Sequence, residues 1–226
     1  MQPLPLPMLR GIRLVIYDLD GTLIDTNKDV IFETVNRVIT ELGETELLES
    51  TIEDIVRLPF NEAFRRILPE TKHDKVPWCL ERYREIYAEI APDKTSILPG
   101  AVETLTHFKK LGIKQSIATL KHSNVASKIL GRLNLLPYFD LVLGVNDVVN
   151  PKPAPDVVEL TLTRLGVEPG EAVLVDDSTI GLESGIKAGV YTVGVTTGDD
   201  DKEKLEALGP DHLVDGLREL TFFISP

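Results

Sequence analysis

The chain has a single cysteine, Cys79, among its 226 residues. No disulfide can close within it, so stability must come from a packed core, and a cytosolic setting is expected. Cys79 itself reads as a small, semi-buried hydrophobe. Long apolar runs are also missing: none approaches the ~20 residues of a membrane span. Basic charge is scarce. Against 36 acidic residues stand 24 Lys and Arg, a formal charge of −12. That balance argues against a nucleic-acid or anionic-membrane surface, both of which need basic patches. The start, Met1-Gln2-Pro3-Leu4-Pro5-Leu6-Pro7, has neither a basic region nor an uninterrupted apolar core. It is not read as a secretion signal but as a short extended arm. No internal repeat or low-complexity segment is evident.

What is present is an alternating pattern. Short apolar runs at Ile12–Tyr17, Ile113–Ala118, Leu141–Val145, Ala172–Val175 and Tyr191–Val195 read as strands. Helical patterns separate most of them. Val102, Leu105 and Phe108 mark one helix, between Pro99-Gly100 and Gly112. Val125, Ile129, Leu130 and Leu133 mark another, with Ser123 as N-cap. Pro155 suits the first turn of a third, running through Val158, Leu162 and Leu165 to Gly166. Strands alternating with helices imply an α/β fold, a parallel sheet covered on both faces.

The stretch from Asp25 to Ile97 breaks the alternation and holds no convincing strand. Ile31, Val35, Val38 and Leu42 share one helical face; Phe60, Ala63, Phe64 and Ile67 share a second; Leu80, Tyr83, Tyr87 and Ile90 share a third. The expected organisation is a catalytic core of residues 1–24 and 98–226 with an inserted helical domain, residues 25–97. Such an insert can act as a lid over the carboxyl ends of a parallel sheet.

Chemistry-bearing residues gather where the strands end. Asp18-Leu19-Asp20-Gly21-Thr22 follows the first strand. Two carboxylates that close can share a cation, one acting as nucleophile while the other handles protons. Thr119 follows the second run, with Lys121 and His122 close behind. A hydroxyl and free N–H groups there suit an anionic oxygen. Lys152 lies in Asn150-Pro151-Lys152-Pro153-Ala154-Pro155, where prolines stiffen the backbone around one ammonium that can offset phosphate charge. Asp176-Asp177-Ser178 ends a further strand. Adjacent acids repel and call for a cation, and oxygen donors of this kind suit Mg²⁺. Ser178 can cap the next helix, whose Gly181, Ser184, Gly185 and Ala188 allow close packing. All four sites fall on one side of the inferred sheet, a convergence more specific than any one of them.

In this order and over nearly the whole length, the motifs resemble those of the haloacid dehalogenase-like superfamily of phosphatases. The resemblance implies a Rossmann-like core with a helical C1-type cap. It also implies that Asp18 forms an aspartyl-phosphate and that Asp20 acts as acid, then base. Thr119 and Lys152 would hold the phosphoryl group. Mg²⁺ would lie on an Asp18 oxygen, the Asp20 carbonyl and Asp177, with Asp176 close by. Thr22, Leu120 and Arg57 are the candidate substrate contacts; an arginine in Arg57-Leu58-Pro59-Phe60 could meet a carboxylate or second phosphate. Asp20 favours phosphate esters, since the superfamily's dehalogenases lack this second acid. Within the superfamily the chain looks most like phosphoglycolate phosphatases and related pyrophosphatases. Two departures stand out. Leu120 replaces a usual Asn, and Asp176-Asp177-Ser178-x-x-Gly181 replaces the commoner Gly-Asp-Ser-x-x-Asp, a variant closer to β-phosphoglucomutase-like members.

The implied activity is Mg²⁺-dependent hydrolysis of a small phosphorylated metabolite: phosphoglycolate-like, pyrophosphate or phosphosugar. The expected protein is a cytoplasmic monomer or homodimer with no nucleic-acid or membrane partner. A sugar phosphomutase is the alternative, though Thr26–Val30 lacks a histidine to shuttle protons. A receiver-like signalling module would place its acid pair first and its acceptor on a central strand. An inactive binding protein is countered by the intact acidic and basic set.

Overall fold

Four consecutive buried residues, Leu14–Tyr17, make β1. The computed structural model describes residues 7–27, 29–55, 58, 60–198 and 200–226, so the proline-rich start before Pro7 and the candidate Arg57 lie outside the described residues. After β1 come two short strands, β2 (Ile24–Thr26) and β3 (Thr95–Ile97), which pair as a two-stranded sheet. They correct the expectation that the inserted stretch holds no strand; three residues each are too few to show alternation. The remaining strands are β4 (Lys114–Ala118), β5 (Leu141–Leu143), β6 (Ala172–Asp176), β7 (Tyr191–Val195) and β8 (His212–Val214). With β1 they form a six-stranded sheet in the order β5-β4-β1-β6-β7-β8. Every pairing along it is parallel.

Local hydrogen bonding sets the strand ends. Ile113 is not in β4, because its N–H closes the preceding helix on Phe108 O. Val145 leaves β5 to donate to Lys121 O. The edge strand β8 is unforeseen for the same reason as β2 and β3.

Chain segments between strands are helical. In the core these are α5 (Ala101–Lys110), α6 (Ser123–Arg132), α7 (Asp156–Leu165), α8 (Thr179–Ala188), α9 (Lys202–Ala207) and α10 (Leu220–Phe223). Successive strand residues face opposite sides. Leu14, Ile16 and Leu174 pack with Val157, Val158 and Leu162 of α7. On α5, the Leu105 carbonyl accepts from the Gln115 side chain, which in turn accepts from Tyr17 Oη. Each fully buried aliphatic side chain is worth ~1.5–3 kcal/mol relative to exposure, which is why β1 and β6 read as unbroken apolar runs. Gly185 lets α8 close on the sheet: a Cβ there would meet Leu174 at 2.7 Å and Thr192 at 2.8 Å. The N-cap of α6 differs from expectation. Ser123 is already helical, and its N–H is capped by Asn146 Oδ1 at 2.8 Å.

The chain divides into two compact units, Met1–Asp25 with Ser96–Pro226, and Thr26–Thr95. The second contains α1 (Asp29–Glu41), α2 (Glu49–Ile55), α3 (Phe60–Ile67) and α4 (Val76–Ile90). Its buried stripe on α1 is Val30, Thr34, Val35, Val38 and Ile39. The stripe is rotated from the Ile31/Leu42 face because Thr34 turns inward and satisfies its hydroxyl on Val30 O at 2.6 Å. Cys79 is buried on α4. No helix of the described residues is long and apolar enough to cross a membrane.

Candidate active site

Parallel register brings the strand ends together. Tyr17 pairs with Ile117 on one side and Val175 on the other. Asp18 therefore emerges between Ala118-Thr119 and Asp176-Asp177. Lys152 arrives from the loop after β5. That loop is fixed by Ala154 N donating to Pro151 O at 2.9 Å, and by Asn150 donating to Asp156 Oδ2 from both its backbone and its side chain. Lys152 is buried, and its ammonium donates to Asp18 Oδ1 at 2.8 Å and Asp176 Oδ2 at 2.7 Å.

Asp176 and Asp177 have different neighbours. Asp176 is fully buried, and its second oxygen accepts from Ser178 N at 2.9 Å and Ser178 Oγ at 2.6 Å. Both its oxygens are thus engaged with Lys152 and Ser178. In the structure it is the carboxylate that anchors the lysine. The same contact explains Gly181: a Cβ there would collide with the Asp176 carboxylate. The acid missing from position 181 is replaced in that space by the acid at 176. Ser178 caps α8 as expected, accepting from Gly181 N at 3.1 Å.

Asp177 accepts from Thr22 Oγ1 at 2.7 Å. Thr22 is fully buried and its hydroxyl braces the acid. Two glycines enclose the same carboxylate, for a Cβ on Gly21 or Gly198 would collide with it. Gly21 also adopts φ 78°, which suits glycine. Thr197, beside Gly198, donates to Gly21 O at 2.6 Å. Asp200 ties the same loop to α8 by accepting from Thr179 N and Oγ1 at 2.7 and 2.9 Å. The Thr197-Gly198 segment was missed in the sequence. Its signal was a hydroxyl and a glycine after a further strand on the side where the other motifs lie.

Thr119 is buried at the end of β4 and accepts from Lys121 N at 3.2 Å. Leu120 is exposed. Lys121 reaches Asp20, with Nζ 2.8 Å from Oδ2. His122 stands at the entry to α6.

Burial is the main electrostatic influence. It pushes Asp18 up to about 8; Lys152 opposes the rise, and Asp176 and Asp177 add to it. Burial and the nearby Asp176 push Asp177 up to about 6. Burial pulls Lys152 down, but Asp176 and Asp18 outweigh it and its pKa rises. Three acids around one buried ammonium are short of positive charge. The donor set fits a hard divalent cation such as Mg²⁺, which binds through a few carboxylates and keeps several waters. Among the described residues no group of three His, Cys, Asp or Glu side chains forms a ready metal cage. Asp18 and Asp177 are the side chains that could hold such an ion.

Comparison with known proteins bears on the family and the fold. The family described as haloacid dehalogenase-like hydrolase matches residues 15–195. The "probable phosphatase IndB" of Dickeya dadantii (strain 3937) is 33% identical over 92% of this chain and 91% of its own. A phosphoglycolate phosphatase of Aquifex aeolicus (strain VF5) is 35% identical over 80% of this chain and 83% of its own. Among solved structures, a haloacid dehalogenase-like family hydrolase of Streptococcus pneumoniae superposes with a TM-score of 0.72 at 22% identity, covering 93% of this chain and 97% of that one. At that identity the likeness concerns the fold.

Proposed function

The chain belongs to the haloacid dehalogenase-like hydrolase family, and from that premise we propose that it is a Mg²⁺-dependent phosphatase using an aspartyl-phosphate at Asp18. The observation that carries this reading is the separation of two neighbouring acids. Asp18 lies on buried Lys152, while Asp20, two residues on, lies on Lys121. One carboxylate is held where phosphate charge can be offset, and the other is left to handle protons.

In the first step an Asp18 oxygen attacks phosphorus, the ester P–O bond breaks, and Asp20 gives its proton to the leaving oxygen. In the second, water attacks the phosphorus and yields a proton to Asp20. The bond to Asp18 breaks, releasing inorganic phosphate and the free carboxylate. Lys152 and Thr119 hold the phosphoryl oxygens, whose charge is spread in the transition state. Mg²⁺, held by Asp18, Asp177 and the Asp20 carbonyl, would supply further charge stabilisation. Asp176 keeps Lys152 in place, and Thr22, Gly21 and Gly198 keep Asp177 in place.

The substrate class is a small phosphorylated metabolite: a phosphoglycolate-like acid, pyrophosphate or a phosphosugar. The helical unit is assigned the role of specificity cap, and the setting is cytoplasmic. With Mg²⁺ the protein should release phosphate from p-nitrophenyl phosphate, and Asp18→Asn or chelation should abolish release. Undiminished turnover by Asp18→Asn would sink the mechanism. Phosphosugar isomerisation without net phosphate release would instead support a mutase.

A further inference from the structure

Lys121 sits beside the proton-handling acid, and its backbone is anchored. Its N–H donates to Thr119 Oγ1 at 3.2 Å, and its carbonyl accepts from Val145 N at 3.0 Å. The Lys121–Ser123 backbone also presses against Gly144, where any Cβ would collide with it. From this fixed base the side chain, only 20% exposed, carries Nζ to 2.8 Å from Asp20 Oδ2. Lys152 is held between two carboxylates. Leu120, between Thr119 and Lys121, presents an exposed apolar side chain and no hydrogen-bonding group.

We propose that Lys121 selects the substrate: its ammonium pairs with Asp20 before binding and passes to a negative charge on the leaving group. The inference rests on the phosphatase reading, in which Asp20 faces the leaving oxygen. An ammonium on Oδ2 of that carboxylate lies within about 6 Å of a leaving oxygen bonded to the same oxygen, two hydrogen-bond lengths at most, and within about 8 Å of one bonded to Oδ1. A carboxylate two bonds from the bridging oxygen, or a second phosphate joined to it, falls in this range. The substrate class is therefore a phosphate compound with an anionic leaving group. A neutral alkyl or sugar chain offers Lys121 no partner in exchange for Asp20, and such substrates are disfavoured.

Phosphoglycolate and ethyl phosphate test this directly, since they differ by a carboxylate in place of a methyl group. The readout is the ratio of their kcat/KM values in the wild type, Lys121→Ala and Lys121→Arg, with pyrophosphate as a second anionic probe. The wild type should prefer an anionic probe, and Lys121→Ala should reduce that preference about 10- to 100-fold, the worth of one charge-assisted contact. The loss should fall mainly on KM, and Lys121→Arg should retain much of the preference. An equal loss on ethyl phosphate would mean that Lys121 only orients Asp20 and would overturn the proposal. So would a preference that Lys121→Ala leaves unmoved, or a wild type with none. If the wild type cleaves none of these compounds and no p-nitrophenyl phosphate, the phosphatase reading fails and this proposal falls with it. Thermal unfolding of Lys121→Ala and Lys121→Arg guards against misfolding, and the arginine variant alone can overturn the proposal by losing the preference with its charge intact and its fold unchanged.

Discussion

Moving one carboxylate from position 176 to position 181 is expected to cost far less than either half of the change alone. A Cβ on Gly181 would collide with the carboxylate of Asp176. That carboxylate cannot step aside cheaply, because Lys152 holds one oxygen at 2.7 Å and Ser178 holds the other at 2.9 and 2.6 Å. Gly181→Asp must break one of these charge-assisted bonds, each worth ~1.5–3 kcal/mol, or overpack the site at a cost of ~1–3 kcal/mol. It also adds a like charge. Replacing a helical glycine offsets at most ~1 kcal/mol. The expected net loss is ~2–4 kcal/mol. Asp176→Gly alone takes one partner from a buried lysine that still keeps Asp18, a loss of roughly 3 kcal/mol. In the double variant the acid returns to the same space from the helix, and glycine at 176 leaves room for it. That variant should lose less than ~2 kcal/mol, a coupling energy of at least ~3 kcal/mol between the two positions. Urea unfolding of the four proteins, with chelator present and a common m-value, measures this cycle. Losses that simply add, within ~0.5 kcal/mol, would refute the idea of one shared space.

Thr22→Val should weaken Mn²⁺ or Mg²⁺ binding about 10- to 100-fold by removing the hydroxyl that orients Asp177, read by titration calorimetry without substrate. An unchanged dissociation constant would remove Thr22 from the site. His212 gives a pH signature. It is buried against Phe223, with ring centroids 4.3 Å apart, and among the described residues neither ring nitrogen makes a hydrogen bond of normal geometry. Burial holds its pKa below the usual 6.5, while Asp211 and the Pro7 backbone pull weakly the other way. The unfolded chain then binds more protons below pH ~6.5, so the stability supported by neutral His212 is lost as pH falls from there. Asp18 and Asp177, whose pKa values are raised, act in the opposite sense and favour the folded state at acid pH. The measurement is therefore the urea midpoint of the wild type relative to His212→Phe at pH 7.5 and 5.5. The wild type should lose ground on acidification, and a constant difference would refute the assignment.

The chemistry of this chain was more legible in its sequence than the wiring of its charges. Asp18, Thr119 and Asp176-Asp177 follow apolar runs, and parallel strands place such ends side by side. Local pattern is enough for that much. Which lysine serves which acid is not local: Lys152 reaches Asp18 across 134 positions. Thr22 is a second long-range pairing. A threonine beside two acids suits a substrate contact, yet its rotamer turns the hydroxyl onto Asp177, 155 positions away. Asp176 and Asp177 are adjacent, but consecutive side chains at a strand end point apart, and Asp176 meets Lys152 while Asp177 meets Thr22. The strands β2, β3 and β8 have three residues each and show no period to detect.

The acidity of the chain gives these pairings their consequence. A formal charge of −12 provides no general attraction for a phosphate. Affinity for an anionic substrate must then arise from cations gathered in the site. Lys152 is divided between Asp18 and Asp176, and its burial fixes it in place. Lys121 has a pinned backbone but a partly exposed head on the outer acid. A fixed cation can stabilise charge that is always in the same place, as on the transferring phosphoryl group. A cation that can change partner is suited to charge present only on some substrates. On the proposed reading, the difference in burial between the two lysines separates catalysis from selection, with Asp18 facing the first and Asp20 the second.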